Sequence, residues 1–288
     1  MSSADARPRT LLDKSEVLAG LFDSWDALDA LLTGLPDEAW HVPTPLPGWC
    51  VYDVVAHIVG TESMLLGVPT PEPDTDVSTL SHVRNGIGVL NECWVRDLRG
   101  GAGADLLDRF RAVTNDRRKL LVDMSEADWD AVTPTPAGPD SYGRFMRVRI
   151  FDCWMHEQDI REGLRRPPAE NELLGPTARL ALDEIVTSLG FVVGKLGGAP
   201  DASQVRFELT GPLARIVNVA VDGRGRVVDD FGPAGAASVP TVTIRLDGLL
   251  FTRLAGGRTS ADRHIGAVEY RGDEGVGRRI VEHLNFVI

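Results

Sequence analysis

With 288 residues, 43% of them hydrophobic and 25% charged, the chain has the composition of a globular protein with room for one large domain or two ordinary ones. Its net charge of -12 argues against nucleic acid and anionic membranes as partners. No apolar run approaches the roughly 20 residues that span a bilayer, and residues 1–10 carry no apolar signal segment, so a cytoplasmic protein is expected.

Apolar residues at helical spacing predict long amphipathic helices throughout the first half of the chain. Glycine- and proline-rich connections separate them. The helices are expected at about residues 10–32, 51–66, 80–98, 104–124 and 144–162.

Two of the connections resemble each other. Residues 35–48 and 124–138 each contain an acidic turn, a tryptophan, the sequence Pro-Thr-Pro and a glycine, and each leads into a helix with candidate metal ligands. This repeat predicts two helical hairpins that form a four-helix bundle with approximate two-fold symmetry. Facing helices of such a bundle can build a metal site in its core.

The sequence Arg165-Arg-Pro-Pro-Ala169 is expected to mark a boundary between two domains, residues 1–168 and 169–288. The second domain begins with a long apolar helix, after which the pattern changes to strand-like alternation. The fold class is therefore α followed by α+β. The elements expected in the second domain are a helix at 173–196, strands at 205–209, 216–221, 227–228, 242–246 and 265–270, a short helix at 248–254 and a closing helix at 273–284 with Asp273 as N-cap.

The helix at 144–162 carries the side chains that point most directly to chemistry. Asp152, His156 and Asp159 share one face with several apolar residues. The opposite face is apolar too, so the helix is expected to be buried. Buried carboxylates need partners. A divalent metal could be that partner, because an acid and a histidine at i and i+4 reach one ion. A third ligand from another helix, for which His57 is the candidate, would complete a three-ligand site. The alternatives are that His57 is a core histidine and that Asp152 and His156 form a simple ion pair.

Two segments, Pro47-Gly-Trp-Cys-Val-Tyr-Asp-Val-Val-Ala-His57 and Trp154-Met-His-Glu-Gln-Asp159, resemble the mycothiol-dependent maleylpyruvate isomerase family. The resemblance implies an N-terminal DinB-like four-helix bundle that holds a metal, usually zinc, through His57, Asp152 and His156. Residues 247–258 and 272–273 resemble the smaller sterol-carrier-like α+β domain that many members carry. The family typically has Glu where Asp152 stands, and Ser or Thr where Cys50 stands.

The resemblance implies a metal-dependent enzyme that activates a low-molecular-weight thiol, mycothiol, for isomerisation or S-transfer on a small electrophile. A metal-dependent hydrolase and a small-molecule or lipid-binding protein without catalysis are the alternatives. Arg84 and Arg149 could bind the anionic group of a substrate, since arginine suits bidentate carboxylate recognition, although solvated arginines would look the same in sequence. Asp159 could orient an imidazole as a second-shell partner, or instead end the helix or pair with Arg161.

Overall fold

The computed structural model describes residues 9–231 and 239–287. The chain divides into two compact units, with the boundary between Pro168 and Ala169. Within the described residues, no helix is long and apolar enough to cross a membrane.

The first unit is helical. Helices α1, α3, α5 and α7 form a four-helix bundle in which α1 packs on α5 and α7, and α3 packs on α5 and α7. Helix α4 lies outside this bundle and packs on α3. The helices described in this unit are α1 (Lys14–Leu32), α2 (Asp37–Trp40), α3 (Val51–Leu65), α4 (Gly86–Leu98), α5 (Gly103–Asp123), α6 (Glu126–Trp129) and α7 (Tyr142–Gly163).

The two Pro-Thr-Pro connections have the same local structure. Each begins with a four-residue helix, α2 or α6, that ends in a buried tryptophan. The hydroxyl of Thr44 accepts from the backbone N–H of Leu46 at 3.3 Å and donates to the carbonyl of Trp49 at 2.9 Å. Thr135 makes the corresponding bonds to residues 137 and 138, at 3.1 and 2.6 Å. The sequence repeat is therefore also a structural repeat.

The second unit is α+β. A five-stranded sheet has the order β5-β4-β3-β6-β7, with β3 and β6 parallel and the other pairs antiparallel. Alternate residues of β3, such as Phe207, are buried against the helices, as alternation predicts. The strands of this sheet are β3 (Gln204–Thr210), β4 (Arg215–Asp222), β5 (Arg224–Val228), β6 (Val242–Asp247) and β7 (Val268–Gly272). Strands β1 (Val132–Thr133) and β2 (Asp140–Ser141) form a separate two-stranded ribbon in the first unit.

The α-helices described in the second unit are α8 (Pro176–Phe191), α9 (Gly248–Ala255) and α10 (Glu274–Glu282). Helix α8 packs on β4 and β5, and α10 packs on β6 and β7. The side chain of Asp273 accepts from the N–H of Val276 at 3.0 Å and so caps α10. The expected fold class, a helical bundle followed by a smaller α+β unit, is confirmed.

Three expected boundaries were wrong. The helix expected at 80–98 begins only at Gly86, because Asn85 caps it by accepting from the N–H of Gly88 at 2.9 Å. The helix expected at 173–196 is α8 followed by a π turn, Val192–Leu196, where the chain lies against the backbone of Gly225. The strand expected at 265–270 starts at Val268, after a 3-10 segment.

Candidate metal centre

The start of α3 brings His57 into the bundle without the usual Ser or Thr cap. At this point Cys50 precedes the helix, and the carboxylate of Asp53 accepts from the Cys50 backbone N–H at 3.0 Å and from its thiol at 3.2 Å. Arg99 donates to the other oxygen of Asp53 at 2.7 Å. The helix start is thus held by Asp53, and the thiol is engaged there.

Helix α7 is capped in the ordinary way. The hydroxyl of Ser141 accepts from the N–H of Arg144 at 3.0 Å, and the helix then runs for 22 residues. Its site residues therefore lie at mid-length, where the backbone hydrogen bonds hold them in a fixed order. The helix is buried along most of its length, as its apolar opposite face indicates.

His57, Asp152 and His156 come together between α3 and α7. One candidate ligand atom from each lies within 4.8 Å of the others. The Nε2 atom of His57 is 3.2 Å from Asp152 Oδ2, and the Nε2 atom of His156 is 3.5 Å from Asp152 Oδ1. Both imidazoles are buried, whereas the Asp152 side chain is 29% exposed. The carboxylate therefore marks the open side of the cluster.

These residues fit a divalent metal in number, type and spacing. Two imidazoles and one carboxylate are the three-ligand set of open zinc sites. Tetrahedral bonds of about 2.05 Å separate neighbouring ligand atoms by about 3.4 Å. The two imidazoles lie at comparable distances, 3.2 and 3.5 Å, from the two different oxygens of Asp152. That His57, Asp152 and His156 bind a metal stays a prediction.

Asp159 lies where a second-shell partner would be needed. Its Oδ2 atom is 3.1 Å from Nδ1 of His156, and its side chain is 1% exposed. Such a contact fixes the ring and leaves Nε2 directed at the cluster. By contrast, Nδ1 of His57 is buried without a hydrogen-bond partner among the described residues.

Arg149 is buried beside the cluster and is already engaged. It donates to Asp152 Oδ2 at 2.5 Å, to Glu62 Oε1 at 2.9 Å and to the Cys153 sulfur at 3.7 Å. Glu62 in turn accepts from Arg117 at 3.0 Å, and both of these side chains are fully buried. This chain of charges holds Asp152 in place, and these contacts leave the substrate-anion prediction for Arg149 untested.

Arg84 lies outside the cluster, in the exposed segment before α4. No contact in the structure joins its side chain to His57, Asp152 or His156. Its role in binding a substrate anion stays a prediction.

Burial and the surrounding charges shift the pKa values of the cluster's titratable groups in different directions. Burial lowers the pKa of His57, and Asp152 offsets this only in part. Burial acts in the same direction on His156, but Asp152 and Asp159 outweigh it and raise its pKa. Burial alone would raise the pKa of Asp152, yet Arg149 and the two imidazoles hold it well below its usual value. Asp152 is thus ionised, as a metal ligand must be.

Sequence reasoning missed four polar or aromatic residues around the cluster. Glu62 and Arg117 belong to the charge chain just described, and their contact joins residues 55 positions apart. The ring centroid of Trp49 lies 5.4 Å from that of His57 and 6.3 Å from that of His156. Glu92 holds this ring from α4. For Trp49 the signal was its place in the block that ends at His57.

Comparisons with known proteins match both units. The family described as Mycothiol maleylpyruvate isomerase N-terminal domain matches residues 21–161, and the one described as MDMPI C-terminal domain matches residues 179–279. The crystal structure of the mycothiol-dependent maleylpyruvate isomerase is similar, with a TM-score of 0.58 at 13% identity, over 90% of this chain and 93% of that one. At this identity the likeness shows the fold.

Relatives at higher identity come from Mycobacterium tuberculosis. An uncharacterized protein of strain ATCC 25618 / H37Rv is 25% identical over 202 residues, which are 70% of this chain and 76% of the relative. An uncharacterized protein of strain CDC 1551 / Oshkosh matches with the same identity and coverage.

Proposed function

The chain belongs to the mycothiol-dependent maleylpyruvate isomerase family, and on that premise we propose that it is a metal-dependent enzyme that uses a low-molecular-weight thiol. In this proposal His57, Asp152 and His156 hold a divalent ion, zinc by resemblance, and mycothiol is the thiol. The observation that carries the proposal is the convergence of these three side chains from two helices at a partly exposed carboxylate, with His57 and Asp152 95 residues apart in sequence.

The protein's own cysteines do not offer a nucleophile, which supports an external thiol. Burial raises the pKa of Cys50, Cys93 and Cys153, the last to about 12. A thiol is a nucleophile only as its thiolate. Bound by the three ligands, a divalent metal would lower the pKa of a thiol at its open position, so that the anion forms near neutral pH.

The residues around the ligands set the geometry and charge of this site. Asp159 fixes the ring of His156, and Arg149 neutralises part of the charge of Asp152 and fixes its carboxylate. The lowered pKa of His57 keeps its imidazole neutral, which is the form that binds metals. The partial exposure of Asp152 supports a site that a small substrate reaches from solvent.

The reaction balances without an oxidant or reductant. The thiolate sulfur bonds to one carbon of a double bond conjugated with a carbonyl group, and the π electrons move to the carbonyl oxygen. The remaining single bond rotates, the electrons return to re-form the double bond, and the thiolate leaves, so that isomerisation consumes no thiol. If a proton is added to the neighbouring carbon instead, the thioether remains and the net reaction is S-transfer.

Turnover of maleylpyruvate as a probe electrophile tests the proposal. Protein loaded with Zn²⁺ is assayed with and without mycothiol, and again after removal of the metal with a chelator. We expect turnover that requires both. Metal-dependent turnover without thiol would instead support the hydrolase, and a protein that retains no metal would overturn the metal-dependent proposal.

A further inference from the structure

Trp49 forms a wall beside the two candidate imidazole ligands. Its ring lies against both imidazoles, with centroid distances of 5.4 Å to His57 and 6.3 Å to His156. Unlike those imidazoles it is only half-buried, and the Asp152 side chain is likewise partly exposed. A molecule bound at the two imidazoles would therefore have this ring as a neighbour.

Glu92, on α4, holds the indole in this position. Its Oε1 atom accepts from Nε1 of Trp49 at 2.5 Å and lies 2.7 Å from Nε2 of His82. Its Oε2 atom has no hydrogen-bond partner among the described residues and lies 3.8 Å from Nε of Arg96. The carboxylate is 1% exposed. A buried carboxylate is costly unless donors satisfy it, and the indole N–H is one of the donors that satisfy this one.

His82 also restricts the backbone in front of Trp49. Its imidazole lies against Gly48, where a Cβ atom would be 3.0 Å away, and Gly48 has a φ of +81°. The segment before α4 therefore packs on the residue that leads into Trp49. Backbone and ring of Trp49 are both fixed by contacts that converge on Glu92.

We propose that Glu92 is a positioning residue, which acts through the Trp49 indole to fix the wall against which the thiol cosubstrate lies. This inference rests on the proposed function, since it assigns the wall of that same site. The contacts of Glu92 within the described part of the chain are with Trp49, His82 and Arg96, and none is with a candidate ligand. Its effect is therefore expected on thiol binding and not on metal binding.

The test uses the full chain loaded with Co²⁺, whose visible absorption reports the ligands and whose thiolate charge-transfer band reports mycothiol binding. In Glu92→Leu and in Trp49→Phe, we expect an unchanged Co²⁺ stoichiometry and a Kd for mycothiol that is about tenfold higher. The double variant should be no weaker than either single variant, because both changes remove one interaction. Glu92→Gln keeps an oxygen acceptor and should restore most of the affinity.

A matched control is Trp129→Phe, the same chemical change at the tryptophan of the second repeat, whose indole donates to the carbonyl of Leu12 at 3.0 Å. It should leave the Kd for mycothiol unchanged. If Glu92→Leu does not fold, Trp49→Phe still tests the inference, because a wild-type Kd for mycothiol in that variant would overturn it. Additive effects in the double variant would overturn it too. If the wild type itself binds neither Co²⁺ nor mycothiol, the proposed function fails and the inference falls with it.

Discussion

The two hairpins of the bundle share the Pro-Thr-Pro turn and differ in the residue directly before the helix cap. In the first hairpin that residue is Trp49, which turns towards the imidazoles of the candidate site. In the second it is Asp140, which binds Thr10, Ser141 and Arg144 and so ties the N-terminal segment to α7. The same turn thus shapes the site in one hairpin and secures the fold in the other.

The two ligand-bearing helices differ in a parallel way. Helix α3 offers one imidazole, that of His57, whose pKa is lowered by burial and whose Nδ1 atom has no partner among the described residues. Helix α7 offers Asp152 and His156, both held by neighbours on the same helix. This difference teaches that α7 is the pre-organised half of the site, and that α3 completes it.

The largest expected effect comes from removing a ligand on the organised side. In His156→Ala, we expect the affinity for Zn²⁺ to fall about a thousandfold or more, because two protein ligands cannot hold the ion against water. Metal analysis after dialysis, combined with a chelator competition, measures this. The control is His283→Ala, an exposed histidine of the second unit, which should retain the metal. Wild-type metal content in His156→Ala would show that the ion binds elsewhere.

The spacing of the cluster predicts the effect of lengthening the acid. Asp152 already contacts both imidazoles, at 3.2 and 3.5 Å, so the helices are close enough for the shorter side chain. In Asp152→Glu the extra methylene should push the carboxylate into the rings and weaken Zn²⁺ binding about tenfold. Asp97→Glu, the same change at an exposed position on α4, should have no effect. Tighter binding in Asp152→Glu would mean that this chain carries a weakened version of the family site.

Local patterns predicted the bundle, the strands and the cap at Asp273, because helical spacing, alternation and capping depend on residues near one another in sequence. They also singled out His57, Asp152 and His156, which the structure brings together. They could not find Glu62 or Glu92, whose partners Arg149 and Trp49 lie 87 and 43 residues away. Buried polar contacts of this kind follow from tertiary packing and leave no local pattern.

The delayed start of α4 has the same cause. Helical spacing continues back to residue 80, but His82 is drawn to the buried carboxylate of Glu92 and packs on Gly48. Those contacts hold the segment before Asn85 out of a helix. A local pattern gave way here to a tertiary contact near the candidate site, which is where such departures are expected.

Asp140 should make the stability of the second hairpin depend on acid pH. Burial opposes ionisation, but the bonds from Arg144 and Thr10 outweigh it and lower the pKa of Asp140 to about 2. A lowered carboxyl pKa stabilises the fold above the unfolded value, near 4, and that contribution is lost as the pH falls towards 2. Asp140→Asn should therefore cost about 2 kcal/mol at neutral pH and progressively less below pH 4.

Urea unfolding of metal-free protein between pH 2 and pH 7 measures this difference. Asp108→Asn removes a carboxylate whose side chain is 77% exposed, and it should change stability by less than about 0.5 kcal/mol. A loss in Asp140→Asn that did not vary with pH would show that packing, and not charge, ties this position to the N-terminal segment.

The smallest expected effect tests the Pro-Thr-Pro turn that the two hairpins share. Thr44→Val and Thr135→Val each remove one hydroxyl that both accepts and donates a hydrogen bond within its turn, so each should lower the unfolding free energy by about 1 kcal/mol. The two variants control for each other. Since the hydroxyl and the backbone N–H of Thr44 both bond to the carbonyl of Trp49, only Thr44→Val should also shift the fluorescence of that indole. Equal losses of stability with a fluorescence shift in Thr44→Val alone would show that the same turn supports the fold in both hairpins and also positions Trp49 in the first. Unequal losses of stability would show that the two connections resemble each other only in their backbone.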